Sequence, residues 1–438
     1  MLKTLTNEVS RRMIAKNILG FKLGTTKDEL TAHAGLALFG EFTSGLGVLD
    51  LLNKRMPKPG NKKGFKPSVY VYSLLLMLHG GGRSLEDIRK IKDDKGLCKV
   101  LPLKLVPTPD AVGDWLRKMG DTGGLEGLLD VNCELLDWGT RKDKHDGYTL
   151  DIDATEIIAE KYEALWTYKG NRGYMPIVGH IAENSMVLCD EFREGNVSPA
   201  TRNMEFIKHC EEQLPSGKRI KYFRSDSAAY QGKIIDYCMD KGIGFAIGAD
   251  LDTAVVDLIS KIPEKHWRKH ESGKIAETVH TMNKNRYSFR LIVVSRPYQA
   301  DVFGDVDPKC KFKVIATNRT EQAEWVLDWY NQRCDYSENR IKDLKIGFGM
   351  ERMPCGQFLA NAVFFRIGVI AYNLYKLFVT MVLDKGWRKF QVQTVRWKLY
   401  QTAGKVVFHA GRLYLKISEE MYEIFARIRQ KSWEFVMS

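Results

Sequence analysis

The sequence contains no C-x-x-C pair. Its eight cysteines, at 98, 133, 189, 210, 238, 310, 334 and 355, are scattered, which argues against a zinc ribbon or a disulfide framework and suits reduced thiols in the cytosol. His266 and His270 stand four apart, but Trp267, Arg268 and Lys269 fill the gap and no Glu stands where an H-E-x-x-H zinc site needs one. The opening Met-Leu-Lys-Thr-Leu-Thr-Asn-Glu lacks the unbroken apolar segment of a secretory signal, so a cytoplasmic protein is expected. No run is both long and apolar enough to cross a bilayer cleanly. Val69–Leu78 is too short, and Phe358–Leu383 is broken by Asn361, Arg366, Asn373 and Lys376, so both are expected as buried helices with no membrane partner.

What is present is apolar bulk and positive charge. A 438-residue chain with 44% hydrophobic residues can bury a large core, as two to four domains or as one elaborated body. The formal charge of +13 favours a polyanionic partner, because neutralising phosphates releases condensed counterions; an ordinary basic enzyme is the alternative that charge alone leaves open.

Residues 1–140 are expected to be helical. Leu30–Leu52 carries apolar residues at mixed three- and four-residue spacing, and a cationic loop follows, with Lys54, Arg55, Lys58, Lys62, Lys63 and Lys66 around Pro57, Pro59 and Gly60. This loop either touches a DNA backbone or is a solvated connector. Gly80-Gly81-Gly82 breaks the next helix; Ser84, with Asp87 three residues on, and Thr108, followed by Pro109, are N-caps of two further helices. Their punctuation suits a helix-turn-helix-like module or any small bundle.

From Tyr148 the pattern turns to short strands: Tyr148–Ile158, Met175–Ile181, Met186–Phe192, then a helix capped by Ser198 with Pro199 at its first position, a strand Arg219–Arg224, a helix Gln231–Lys241 and a strand Gly244–Ala249. Residues 251–318 interrupt this order with a short helix, Thr253–Ile262, and alternating strands such as Tyr287–Ser295 and Lys311–Thr317, a β-rich insertion. The remainder, 352–438, is expected to be helical and basic.

Period-two geometry puts Asp151, Asp153 and Thr155 on one face of the first strand. Carboxylates there are costly to bury without a counter-charge, which a divalent metal would supply. Asp226 ends a later strand and would project into a cleft, or else cap the following helix. On the helix around Trp329–Lys345, Glu338, Lys342 and Lys345 share a face, either as a functional surface or as ordinary i,i+4 and i,i+7 partners.

Tyr330, Arg333, Glu338 and Lys345 resemble the Tyr-x-x-Arg … Glu-x6-Lys signature of bacterial insertion-sequence DDE transposases. The Asp-x-Thr at Asp153 and the Arg-x-Asp-small-small-aromatic stretch at Asp226 are similar to the segments carrying that family's first two acids; Asp151 is the reserve candidate. The resemblance implies an α/β fold: a ribonuclease-H-like core in two parts, 141–250 and 319–351, interrupted by the β-rich insertion and flanked by a helical DNA-binding region and the C-terminal helices. It implies Asp153, Asp226 and Glu338 as catalytic ligands of Mg²⁺, with Mn²⁺ able to substitute. Three carboxylates can hold two such ions roughly 3.5–4 Å apart for in-line phosphoryl displacement. It further implies double-stranded DNA partners (terminal repeats and target), a homodimeric synaptic complex, DNA contacts from Tyr330, Arg333, Lys342 and Lys345, and a nucleoid-associated bacterial location. Trp267 would stack on an extruded base, or pack as a core residue. Four residues rather than the family's three separate Arg333 from Glu338, about 140° apart on a regular helix, and a π-bulge near Cys334–Tyr336 would restore their alignment. The alternatives are a nuclease or resolvase on the same core, and a former transposase that only binds DNA.

Overall fold

The computed structural model describes residues 21–60, 64–296 and 312–437, and the side chains of 334–339 lie outside that description. The opening residues, Lys62, Lys63, Cys310 and Lys311 therefore fall outside it as well.

Five helices form the first layer: α1 (Ala34–Gly45), α2 (Val48–Arg55), α3 (Pro67–Gly80), α4 (Pro109–Asp121) and α5 (Gly124–Thr140). Their ends follow local chemistry. Pro67 and Pro109 occupy first-turn positions, the Thr108 side chain accepts from the Ala111 amide at 3.3 Å, and Ser84 with Asp87 forms a capping box.

A nine-stranded mixed sheet forms the second layer. Its strands are β1 (Gly147–Ala154), β2 (Ile177–Ile181), β3 (Val187–Glu191), β4 (Arg219–Ser225), β5 (Gly244–Gly248), β6 (Arg268–His270), β7 (Gly273–His280), β8 (Phe289–Ser295) and β9 (Phe312–Thr317). They lie in the order β6-β7-β8-β9-β5-β4-β1-β2-β3. Only β4 is flanked on both sides by parallel partners, with Asp151 opposite Arg224 and Arg224 opposite Ala246. The strands of 251–318 extend this sheet through β9, which pairs antiparallel with β5. Between β3 and β4 runs α6 (Asn203–Glu212), and between β4 and β5 runs α7 (Gly232–Lys241). Here the sequence expectation is corrected: α6 starts at Asn203, not at Ser198, because Arg202 adopts φ 54° at the cap and the preceding residues turn instead.

Helix α8 (Ala323–Lys342) lies against β1, β4 and β5, and α9 (Phe358–Leu377) packs on α3, α4 and α5. Residues 358–382 are long and apolar enough to cross a membrane by composition, yet 94% of the most apolar window is buried inside the protein. The polar interruptions explain that placement. Asn361 bonds the Cys355 backbone and the Tyr174 hydroxyl, Arg366 pairs with Asp190 of β3 at 3.0 Å, Asn373 reaches the Val187 backbone, and Lys376 meets Asp343 at 3.4 Å. Each satisfies a buried polar group and pins the helix to its neighbours.

The C-terminal region is not wholly helical. Strands β10 (Gly404–His409) and β11 (Arg412–Lys416) form a hairpin closed by Ala410 and Gly411 at φ 49° and 75°, both left-handed as a two-residue turn requires. Glu29–Thr31 adds a third strand against β10, with Glu29 opposite Val406. Helix α10 (Glu419–Val436) then packs on α1.

Removing one partner of a buried ion pair leaves the other charge unpaired, so Asp190→Ala, which strands Arg366, should lower stability by about 3–5 kcal/mol, read as a drop in the denaturation midpoint.

Candidate active site

One face of β1 holds Asp151 and Asp153 as alternation demands, Thr155 follows just past the strand end, and each meets a cation from α8 or the turn after it. Asp151 is fully buried. Its two oxygens take Nε and Nη2 of Arg224 at 2.7 and 2.8 Å, and Oδ2 also takes Nη1 of Arg340 at 3.1 Å. Arg224 further donates to the Trp329 carbonyl, and Arg340 to the Ala182 carbonyl at 2.8 Å and the Ser185 hydroxyl at 3.2 Å. A fully buried carboxylate that accepts three hydrogen bonds from two guanidinium groups is a structural node, and Asp153 is the more open acid of the pair.

Asp153, one pleat further, is 20% exposed and sits 3.6 Å from Nη1 of Arg333. Asp226 follows β4 and is half-buried, its carboxylate accepting from the Ala228 amide at 3.1 Å. The capping role expected for a strand-end acid is therefore real here, yet it uses only one oxygen. Arg333 pairs with Asp153, and Asp226 adds a longer-range attraction: burial opposes the guanidinium's charge, but Tyr330, Asp153 and Asp226 together push its pKa above the usual range. Arg333 is itself buried, with Nε lacking a hydrogen-bond partner among the described residues.

Glu338 lies on α8 between Arg333 and Arg340, in backbone that is α-helical throughout; its side chain is outside the description. The bulge expected near Cys334–Tyr336 is absent, and the π-helical turn falls instead at Asp343–Gly347. A helix continuous to Lys342 keeps Arg333 and Arg340, seven apart, on one face. Lys345, on the π turn, donates to the Thr155 hydroxyl at 3.2 Å and the Glu156 carbonyl at 2.6 Å, and burial lowers its pKa against the pull of Glu351 and Glu156. Lys342 is exposed. A cleft of about 350 Å³ is lined by Asp153, Thr155, Ile341, Lys342, Lys345 and Glu351.

Tyr330 is buried, with the Lys313 ammonium 5.1 Å from its ring. Trp267 is half-buried and packs toward Phe312, ring centroids 6.2 Å apart. Sequence reasoning missed Arg224 and Arg340. The former stands two residues before Asp226 and the latter lies i+7 from Arg333, a spacing that marks a shared helix face.

Beside this node, His180 of β2 lies opposite Asp151, buried, with neither ring nitrogen hydrogen-bonded among the described residues. Burial, then Arg340 and Lys376, hold its pKa well below 6.5; burial and Arg396 do the same to His79. A base with a depressed folded-state pKa contributes stability that is present above its unfolded pKa and lost as pH falls below it. Stability should therefore decline below pH about 6.5 by about 1.4 kcal/mol per pH unit for each histidine, and His180→Gln should make the urea midpoint less steep in pH. Asp151→Asn should lower stability by about 3–5 kcal/mol, while Asp153→Asn, at a half-open position, should change it by less than about 1 kcal/mol in the same denaturation measurement.

The family described as Transposase DDE domain group 1 matches residues 21–431. No curated protein sequence matches the chain. Among solved structures, the chain is similar to a piggyBac transposase synaptic complex with hairpin DNA, determined by cryo-EM, with TM-score 0.48 and 11% identity over 86% of this chain and 82% of that one. With nearly its whole length matched, the chain belongs to the DDE transposase family.

Proposed function

We propose that this DNA transposase binds inverted terminal repeats, cleaves the donor DNA and joins the freed 3′ ends to a target, with Asp153, Asp226 and Glu338 as the acids of its catalytic centre. The observation that carries this reading is the placement of Asp153 and Asp226 at the carboxyl ends of neighbouring parallel strands, with Asp153 3.6 Å from Arg333 of the helix that bears Glu338. The strand order β3-β2-β1-β4-β5, antiparallel then parallel, supports a ribonuclease-H-like core.

The donor set fits a divalent metal. Both aspartates are half-buried and offer hard oxygens, as Mg²⁺ or Mn²⁺ needs, with Asp153 in the wall of the cleft; among the described residues no third acid, His or Cys completes a metal-holding group, and Glu338 is the proposed third ligand. When bound, metal ions supply activation of the attacking hydroxyl or water and stabilisation of the leaving oxygen. The chain's own residues prepare that chemistry. Arg333 neutralises the facing acids, and its displacement from Asp153 frees an oxygen for a ligand. Lys345, held on the backbone after β1, and exposed Lys342 place two positive charges on the rim, where they pair with phosphates flanking the cut. Tyr330 positions Arg333 from below, and Trp267 lends an apolar face to the insertion side. Two copies, each holding one DNA end, form the working assembly in the bacterial cytoplasm.

The test is cleavage and strand transfer on DNA carrying the element's ends. Asp153→Asn, Asp226→Asn and Glu338→Gln should each reduce cleavage at least about 100-fold, since even outer-shell partners of a metal reach that loss, while end binding stays at the wild-type level. Full activity in any one variant removes that residue from the centre. Cleavage without joining of precleaved ends would instead mark a nuclease or resolvase, and end binding with no metal-dependent nicking by the wild type a DNA-binding protein.

A further inference from the structure

A small antiparallel sheet leaves the end of β1, built from Ile157–Ile158, Arg172–Tyr174 and Leu165–Trp166, with Trp166 opposite Arg172. Its apolar side chains do not all turn inward. Ile158 and Trp166, on opposite faces of this sheet through their pairings with Gly173 and Arg172, and Tyr168 just after the strand are 57%, 65% and 65% exposed. Thr167, between the two aromatics, is buried and donates to Glu156, so Trp166 and Tyr168 are held outward by a fixed backbone.

Through Ile158 and Tyr168 this surface opens onto a cleft of about 610 Å³, whose charged lining is Lys169, Lys345 and Arg352 with Glu156 and Glu351; Trp166 stands outside that lining. Thr155 and Lys345 also line the cleft that contains Asp153, so the two spaces are continuous along one wall. The charges are sorted. Lys169 lies 5.6 Å from the Tyr168 ring, and the two acids of the lining both have partners: Glu156 accepts from Thr167 and from Asn171 at 3.3 Å, and Glu351, at the surface, faces Arg83 at 3.7 Å. Flat aromatic faces alternating with ammonium and guanidinium groups fit one chemistry, unpaired nucleobases stacked on rings with their phosphates against the cations. A duplex hides its base faces and would use only the charges.

We infer that the sheet of residues 157–174, through Tyr168, Trp166 and Lys169, is a binding surface for unpaired DNA strand running from the Asp153 cleft. The inference rests on the DNA-transposase reading and gives its site a single-strand path along the wall that Thr155 and Lys345 share with the Asp153 cleft.

The test uses the full chain in EDTA, so its outcome is independent of cleavage. Fluorescein-labelled oligo(dT) of twelve nucleotides and a blunt duplex of twenty base pairs are titrated by anisotropy. Tyr168→Ala and Trp166→Ala should each weaken oligo(dT) binding about tenfold, Tyr168→Phe should retain it, and Lys169→Gln should weaken it while flattening its salt dependence. Duplex binding should stay unchanged in the two aromatic variants. Both side chains are exposed, so circular dichroism should report an unaltered fold, and 5-iododeoxyuridine in the oligonucleotide should photocrosslink to Tyr168 or Trp166. Wild-type affinity for oligo(dT) in Tyr168→Ala, or an equal loss for oligo(dT) and duplex, would overturn the inference. Fully active Asp153→Asn and Asp226→Asn variants with oligo(dT) binding still lost in Tyr168→Ala would overturn the catalytic-centre reading alone, whereas inactive Asp153→Asn and Asp226→Asn variants with wild-type oligo(dT) affinity in Tyr168→Ala would overturn this inference alone.

Discussion

A single buried carboxylate holds the architecture of the site together. Asp151 binds two guanidinium groups, Arg224 from the neighbouring parallel strand and Arg340 from the covering helix. Three charges in a dry interior are tolerable only when hydrogen bonds account for the remaining donors, and backbone carbonyls at Trp329 and Ala182 do so. The cluster therefore fixes four pieces of chain at once: β1, β4, α8 and the turn between β2 and β3. That turn includes Ser185 at φ 63°, a strained position for a residue with a side chain, held by Arg340 on its hydroxyl and Tyr372 on its carbonyl. Asp153 and Asp226 lie two residues beyond Asp151 and Arg224 on their respective strands, so their separation is inherited from the ion cluster beneath them.

The division of labour along β1 follows from depth. At Asp151 the strand is covered from both sides and a carboxylate must be paid for with permanent protein cations. At Asp153 the cover opens, one arginine stands in as a removable counter-charge, and a ligand can take its place. At Thr155 the strand ends and Lys345 caps its last polar groups. The same three-residue alternation thus grades from a fully paired carboxylate to a half-open one to a capped strand end within about 13 Å of extended chain.

Much of this was legible in the sequence because short-range rules govern it. Alternation placed Asp151, Asp153 and Thr155 on a common face, capping residues marked α4 and the turn at Ser84, and the polar breaks in 358–383 pointed to a buried helix. What was illegible depends on partners distant in the chain. Nothing local distinguishes Asp151 from Asp153; the distinction is made by Arg340, 189 residues away. The basic character of 404–416 masked a hairpin whose turn residues, Ala410 and Gly411, lack the Asn-Gly or Asp-Gly pair that announces one. Ser198-Pro199 has the composition of a helix start, but the left-handed Arg202 intervenes. The extra residue between Arg333 and Glu338 suggested a local bulge, whereas the helix carries its irregularity further on, at 343–347, where it turns Lys345 back onto β1.

The pairing of Glu29–Thr31 with β10 joins positions 377 residues apart. At a synthesis rate of about 5–20 residues per second, roughly 20–75 s pass between the emergence of one strand and that of its mate. During that interval α1 has no α10 to cover it and its apolar side stays open to other contacts. The helical layer is thus clasped by segments made long after it, and a nascent chain cannot complete the body that carries the nine-stranded sheet until residues 404–436 have been synthesised.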